Sequence, residues 1–457
     1  MSTAHTVESS REGASTGNDH NRSKVSKWSL FIAAFSTVVE WYDFTLYLYM
    51  TTVLSRVFYG GGEGSIAFAL LTFAVAYLMR PFGAIVFGHI GDRFGRKRMM
   101  LITMAVMTIA MLITALLPTS AQIGAAAGWL MLALRMVMAF AVGGEYTGVI
   151  TYLIEGAGPN RRGFLASLAA ASSEVGALLA AGVAAATVAF VPADQLDVWG
   201  WRIPFFVGAA MAAVVWVSRS LMNESPEFER QKRENDIPEA PLKKVLVEHF
   251  PAVLRTFCIS ALGSITYYVG ISYVPTYLHD AIGMSEADAL WISTVAAVAV
   301  IAVSPIVGII SDRVGRRPVL ITVSALGIVV PPLMFWAMGG TSLAVAVAGV
   351  VALACLGGAV SAIAPSACAE QFPGEGRVSG LAFGLTMATA VFGGLTPWLS
   401  QIIMDATGNI MVPAYIMAVV AIGVLPVMLT SPETAPRIVG DRDADATGRN
   451  TRAAVTE

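Results

Sequence analysis

The sequence predicts an all-α membrane protein of twelve transmembrane helices arranged as two six-helix bundles. Three observations carry this. Of 457 residues, 56% are hydrophobic and only 13% are charged, too few charges to cover a soluble domain of that size. The apolar residues fall into twelve runs, each close to the roughly 20 residues needed to cross a ~30 Å hydrocarbon core. A short glycine-rich basic loop occurs twice, 220 residues apart, once in each half.

The elements follow in chain order. Residues 1–27 are polar, with no apolar stretch before Trp28, which excludes a cleavable secretory signal and predicts a disordered cytoplasmic tail. Apolar runs at about 28–52, 65–88, 99–117, 128–155, 164–191 and 202–221 build an amino-terminal bundle over 28–222. Residues 223–250, dense in Glu, Lys, Arg and Pro, read as a linker. Runs at about 251–279, 288–310, 318–338, 342–369, 378–404 and 409–429 build a second bundle over 251–431, followed by a polar tail over 432–457. Pro305, Pro365 and Pro397 interrupt these runs and predict kinks. Cys258, Cys355 and Cys368 all lie in apolar runs, so neither a disulfide framework nor a metal site is indicated.

The formal net charge of -2 hides a segregation. Of 29 Lys and Arg, 25 fall on one side of this map, counting Arg219 and Arg255 as flanks of the linker; the other side holds Arg56 and Arg202, and Arg80 and Arg135 lie within runs. Basic loops resist translocation, so both termini and the linker are expected to be cytoplasmic.

The repeated loop reads Gly88-His-Ile-Gly-Asp92-Arg-Phe-Gly95-Arg96-Lys97 after the second run and Gly308-Ile-Ile-Ser-Asp312-Arg-Val-Gly315-Arg316-Arg317 after the eighth. Equivalent placement on the same side makes the halves parallel repeats. Gly88 and Gly308 are expected to end their helices in a tight turn, and Asp92 and Asp312 to accept from backbone N–H groups at a neighbouring helix start or to pair with a nearby Arg. A basic turn that only sets topology would appear once; two matched copies point to a conformational latch built from Gly88, Asp92, Gly95, Arg96, Gly308, Asp312, Gly315 and Arg316.

These loops resemble the signature of the major facilitator superfamily, duplicated between helices 2–3 and 8–9. Within it the chain is similar to the metabolite:proton symporters, through Glu40-Trp-Tyr-Asp43-Phe, Leu78-Met-Arg80-Pro81, Val142-Gly-Gly-Glu145-Tyr, Trp199-Gly-Trp-Arg202-Ile-Pro204 and Gly393-Gly-Leu-Thr-Pro397. Tyr267-Tyr268, Val274-Pro275-Thr-Tyr277 and Asn409-Ile-Met-Val-Pro413 lean toward the proline/betaine branch, and much of the rest is shared with citrate and 2-oxoglutarate symporters. After Arg135 the group usually has a Gln-Gly pair where this chain has Met138-Ala139, and this carboxyl tail has no heptads.

Ionisable residues inside spans are expensive and mark functional sites by default. Here they are Glu40, Asp43, Arg80, Arg135, Glu145 and Glu174, all in the amino half. At 1.5 Å per residue, Glu40 lies ~18 Å, Arg80 ~12 Å, and Glu145 and Glu174 ~15 Å from the cytoplasmic side. Arg80 is expected to pair with Glu40 or Asp43, either as a permanent brace or as a pair that opens for a substrate carboxylate. Glu145 is a gating acid, or a carboxylate satisfied by Tyr146 and nearby hydroxyls; Arg135 lies near an outer helix end, within reach of snorkelling. In the carboxyl half, Tyr267 and Tyr268 offer aromatic faces for a quaternary ammonium, or serve as packing.

The function expected is proton symport of a small carboxylate-bearing metabolite by alternating access: a proline/betaine-like zwitterion, or a di- or tricarboxylate. A proton-coupled exporter and a non-transporting sensor are the alternatives; the first is disfavoured because residues 164–191 contain no Gly-Pro pair, the second because no output domain is present. No Gly-Lys or His-Glu pair exists for a phosphate loop or zinc-protease helix, so an enzyme is not expected. No cofactor, metal or nucleic acid is expected either. The predicted partners are the substrate, protons and the lipid bilayer, for a monomer in a plasma membrane of bacterial inner-membrane type.

Overall fold

The computed structural model describes residues 26–439 except 63–64, 159, 236–240, 275–276, 279–280, 285, 341 and 374–375. Of the tail expected to be disordered over 1–27, residues 1–25 lie outside the described residues, as does the chain from 440 onward, while Ser26 caps α1 and Lys27 opens it. All regular structure among the described residues is helical. The amino half comprises α1 (Lys27–Phe35), α2 (Thr37–Tyr49), α3 (Thr51–Tyr59), α4 (Ser65–Tyr77), α5 (Arg80–Phe94), α6 (Arg96–Leu116), α7 (Ala126–Gly156), α8 (Arg162–Phe190) and α9 (Arg202–Ser220). Two short helices, α10 (Pro226–Glu234) and α11 (Pro241–Glu248), fill the linker. The carboxyl half comprises α12 (Phe250–Tyr267), α13 (Glu286–Val314), α14 (Arg316–Met338), α15 (Leu343–Ala369), α16 (Arg377–Ala388), α17 (Thr396–Thr407) and α18 (Val412–Thr430).

Ten helical spans among the described residues are long and apolar enough to cross a bilayer. The first and eleventh apolar runs are helical but interrupted. The first breaks at Ser36, whose hydroxyl donates to the Ala33 carbonyl at 2.6 Å and so competes with the helix ladder. The eleventh passes through a π-helical stretch at Thr389–Gly394. Another π-helical stretch, Tyr268–Ser272, follows α12. The second run turns at Leu78 and Met79 and restarts at Arg80, with Pro81 in the first turn of α5, where its missing N–H is not needed. Pro397 likewise opens α17, whereas α13 and α15 run unbroken through Pro305 and Pro365.

Small residues set the close helix contacts, as expected where lipid removes the hydrophobic drive between helices. A side chain at Gly83 would collide with the Phe140 carbonyl and one at Gly143 with the Arg80 carbonyl, so α5 and α7 touch backbone to backbone; Gly176 does the same for α8 against Val38 of α2. The two halves meet along α5 with α16 and along α8 with α13. At the end remote from the linker, Arg56 holds Asp197 through two hydrogen bonds of 2.7 and 2.8 Å, and Arg202 caps α6 through the Ala115 and Leu117 carbonyls at 2.7 and 2.8 Å.

Two sequence expectations are corrected. Gly88 does not end a helix: it lies inside α5, against Ser379 of the other half, and Gly308 lies inside α13 against Ser167 and Gly163. The turns are made by Gly95 and Gly315, at φ of 108° and 112°, where a side chain would be strained. Arg219 is not a loop residue flanking the linker; it is a fully buried side chain of α9.

Candidate functional site

A small cavity lies inside the amino half, lined by Glu40 and Asp43 of α2, Arg80 of α5, Arg135 and Met138 of α7, and aromatic residues including Phe44, Phe73 and Tyr77. Helix interruptions bring these groups together: Glu40 lies one turn beyond the Ser36 break, and Arg80 begins α5 directly after the turn that ends α4 at Tyr77. Met138 and Ala139 make the adjoining wall apolar.

The ion pairing differs from the sequence expectation. Asp43 is held by Arg135, through two parallel hydrogen bonds of 2.9 and 3.0 Å with both side chains buried, so Arg135 does not snorkel to an outer surface. Such a fork-to-carboxylate pair is charge-assisted and geometrically demanding. Arg80 pairs with neither Glu40 nor Asp43. Among the described residues it makes no ion pair or hydrogen bond, and its guanidinium instead lies 4.4 Å from the Tyr77 ring centre and 4.8 Å from that of Phe44. Cation–π contacts of this kind partly offset the loss of hydration. Glu40 is buried and its Oε2 has no hydrogen-bond partner; it interacts with Arg80 through space only.

The remaining sites sit at different distances from this centre. Glu145 is enclosed within the amino bundle, paired with Arg219 and hydrogen-bonded by Thr103, rather than satisfied by Tyr146. Glu174 on α8 is buried beside Tyr267 of the carboxyl half. Tyr268 donates or accepts a 2.5 Å hydrogen bond with Tyr77, and Tyr267 packs edge-on against Trp41 at 5.2 Å. These two tyrosines therefore close the cavity region with aromatic contacts across the halves.

At the linker end the duplicated loops clasp the opposite half. Asp92 accepts from the backbone N–H groups of Val378 and Ser379, at 3.2 and 2.9 Å, at the start of α16. Asp312 accepts from those of Gly163 and Phe164, at 2.8 and 2.9 Å, at the start of α8. Both place a carboxylate on a helix amino terminus, where free N–H groups and the helix dipole favour it. Behind each clasp, a buried arginine holds a carboxylate at the end of a neighbouring helix: Arg96 binds Glu155 at 3.1 and 3.0 Å, and Arg316 binds Glu370 at 3.0 and 3.2 Å. Glu224 accepts from the Lys97 N–H at the start of α6, and Glu433 from the Arg316 and Arg317 N–H groups at the start of α14. Burial pushes the Glu224 carboxyl above its usual range, while the Ser225 and Lys97 amides and Arg96 pull it back. One contact has no counterpart: Arg377 reaches across the halves to Glu155 at 3.2 Å, whereas Arg162, the matching residue, makes no ion pair with Glu370 among the described residues.

Sequence reasoning missed Arg219, Glu155, Glu370, Arg377, Glu224 and Glu433. A signal for the last two existed: Glu224-Ser225 follows the sixth run and Glu433-Thr434 the twelfth, and each hydroxyl donates to the glutamate at the end of a neighbouring helix, Ser225 to Glu155 at 2.6 Å and Thr434 to Glu370 at 3.2 Å.

Comparison with known proteins gives three kinds of likeness. The family model described as "Sugar (and other) transporter" matches residues 29–248, and that described as "Major Facilitator Superfamily" matches residues 256–456. A proline/betaine transporter of Escherichia coli K12 is 32% identical over 417 residues, covering 89% of this chain and 83% of that protein. An ectoine/proline transporter of Corynebacterium glutamicum is 34% identical over 419 residues, with 87% and 82% covered. A citrate-proton symporter of Klebsiella pneumoniae is 30% identical over 388 residues, with 84% and 87% covered. Among solved structures, a proton:xylose symporter bound to 6-bromo-6-deoxy-D-glucose superposes with a TM-score of 0.75 at 18% identity, covering 90% of this chain and 96% of that one. At that identity the likeness is one of fold.

Proposed function

We propose that this chain, which belongs to the major facilitator superfamily of transporters, is a proton symporter that imports a small zwitterion bearing one carboxylate, of the proline or betaine class. The observation that carries the reading is Arg80: a buried guanidinium without ion pair or hydrogen bond among the described residues, in the same cavity as Glu40, whose Oε2 is unpartnered. Arg80 holds the substrate carboxylate in its planar fork. Phe73, whose ring Arg80 does not cover, offers a face to the cationic end.

Charge balance selects among the relatives' substrates. Asp43 and Arg135 neutralise each other, leaving Arg80 and Glu40. A negative Glu40 would repel an arriving carboxylate and compete for Arg80; a proton on Glu40 removes both effects, and couples proton and substrate entry. The loaded cavity then carries one net positive charge, enough for one carboxylate and too little for the three of citrate. The loops at Asp92 and Asp312 act as the latch that closes the linker end while the other end admits substrate. Both termini and the linker face the cytoplasm of a bacterial inner membrane, which the excess of Lys and Arg on that side supports.

The test is radiolabelled uptake into proteoliposomes with the outside more acidic, across proline, betaine, 2-oxoglutarate and citrate. Proline or betaine accumulates, and a protonophore abolishes accumulation. Sodium-dependent uptake that ignores the protonophore rejects proton coupling, and accumulation of citrate alone rejects the zwitterion assignment.

A further inference from the structure

The amino half holds a second buried charge pair that the transport cycle as described does not use. Arg219 of α9 donates to Glu145 of α7, to the Ser36 hydroxyl at the α1–α2 break, and to the Met100 carbonyl of α6 at 2.9 Å. Glu145 also accepts from Thr103 of α6. Arg219 and Glu145 are fully buried, so four elements converge on two charges with no route to hydration. A pair that only braced the bundle would be replaceable by apolar side chains, often without loss. Its position suggests more. Ser36, bonded directly to Arg219, precedes Glu40 by four residues, one helical turn of ~5.4 Å, and both Glu145 and Arg219 act on Glu40 through space.

We infer that the Glu145–Arg219 pair is a positioning element for proton coupling, setting the charge balance at Glu40 from the Ser36 side of its helix, with its two members acting in opposite senses. This rests on the reading that Glu40 carries the coupled proton. The groups facing Glu40 are Arg80 and Tyr77 from the turn between α4 and α5, Tyr146 and Glu145 from α7, Arg219 from α9, and Tyr268 from the carboxyl half. Asp43 on the same helix is committed to Arg135, and Glu174 on α8 faces Tyr267. Arg219 stabilises a negative Glu40 and Glu145 opposes it, and at short range in a dry interior neither effect is screened away. Held together they nearly cancel; separated, each shows.

The experiment measures the pH at which proton-driven uptake in proteoliposomes is half-maximal, for wild type, Glu145→Gln, Arg219→Gln, the double variant, and Glu40→Gln as reference. Glu145→Gln leaves Arg219 unopposed and shifts the profile to lower pH; Arg219→Gln leaves Glu145 unopposed and shifts it to higher pH, each by about one unit. The double variant returns toward the wild-type profile. Glu40→Gln removes the pH dependence altogether, and if it does not, the reading of Glu40 fails first and separately. If Glu40→Gln behaves as expected but the two single variants shift in the same direction, or lose uptake without a shift, the inference is overturned. It is equally overturned if neither single variant can be produced folded while the double variant folds with the wild-type profile, since the pair is then a brace.

Discussion

The two halves share a fold and a clasping loop but divide their buried charges unequally. The amino half buries Glu40, Asp43, Arg80, Arg135, Glu145, Glu174 and Arg219 within its helices, whereas the buried charged side chains described in the carboxyl half, Asp312, Arg316 and Glu370, lie at the end of α13, the start of α14 and the end of α15. What the carboxyl half offers toward the cavity is aromatic, in Tyr267 and Tyr268, next to a π-helical stretch. A transporter whose halves must rock apart keeps its binding charges on one side, because a charge shared between halves would have to be torn from its partner in each cycle. Among the described residues, the ion-paired and amide-bound charges that span the halves lie in the clasps, at helix termini near the linker end, where broken bonds can be replaced by water; deeper in, Glu174 faces Tyr267 across the halves.

Five substitutions break or sharpen this contrast. The largest effect is expected at Arg135→Ala, which strands Asp43 in a buried site and destabilises the protein by about 3–5 kcal/mol. Thermal melting in detergent reads this, and Asp43→Asn in addition recovers a large part of the loss. Arg80→Ala separates function from stability, since Arg80 has no ion-pair partner to strand: uptake falls by about 100-fold, or ~2.7 kcal/mol, while the melting temperature stays within a few degrees of wild type. A melting loss as large as that of Arg135→Ala would show that Arg80 is structural.

The clasps carry smaller energies. Asp92→Asn keeps one acceptor oxygen but loses the charge, weakening the closed linker end by about 1–2 kcal/mol, and uptake slows without loss of substrate binding. Asp312→Asn slows it less, because the first clasp alone is reinforced across the halves by Arg377 and Glu155. Equal wild-type rates in both variants would reduce the loops to topology signals. The smallest effect belongs to Arg377→Gln, about 0.5–1 kcal/mol, because Glu155 keeps its two hydrogen bonds from Arg96. In that background the two Asp→Asn variants are expected to slow uptake equally, and a persisting difference would place the asymmetry elsewhere.

Much of this architecture was legible along the chain. A hydrophobic run about 20 residues long has one stable solution in lipid, so the twelve helical runs followed from length and composition. The duplicated loop exposed the repeat, and the buried charges of the amino half, Arg219 excepted, followed from the run boundaries. Depth along each helix also followed, because 1.5 Å per residue is fixed by backbone geometry.

The partners did not follow. Depth places a charge along a helix axis, but pairing depends on the direction in which the side chain leaves that axis, and this is set by how the helices are rotated against each other. Asp43 and Arg135 stand 92 residues apart, Arg219 and Glu145 74, and Asp92 and Ser379 287. The rotations that join them are fixed where backbones touch, at Gly83 against Phe140, Gly143 against Arg80 and Gly176 against Val38. That is why Arg219, placed by sequence among loop cations, turned inward to Glu145, and why Asp43 went to Arg135 and left Arg80 unpaired: composition determined which charges entered the membrane, and tertiary packing decided which of them met.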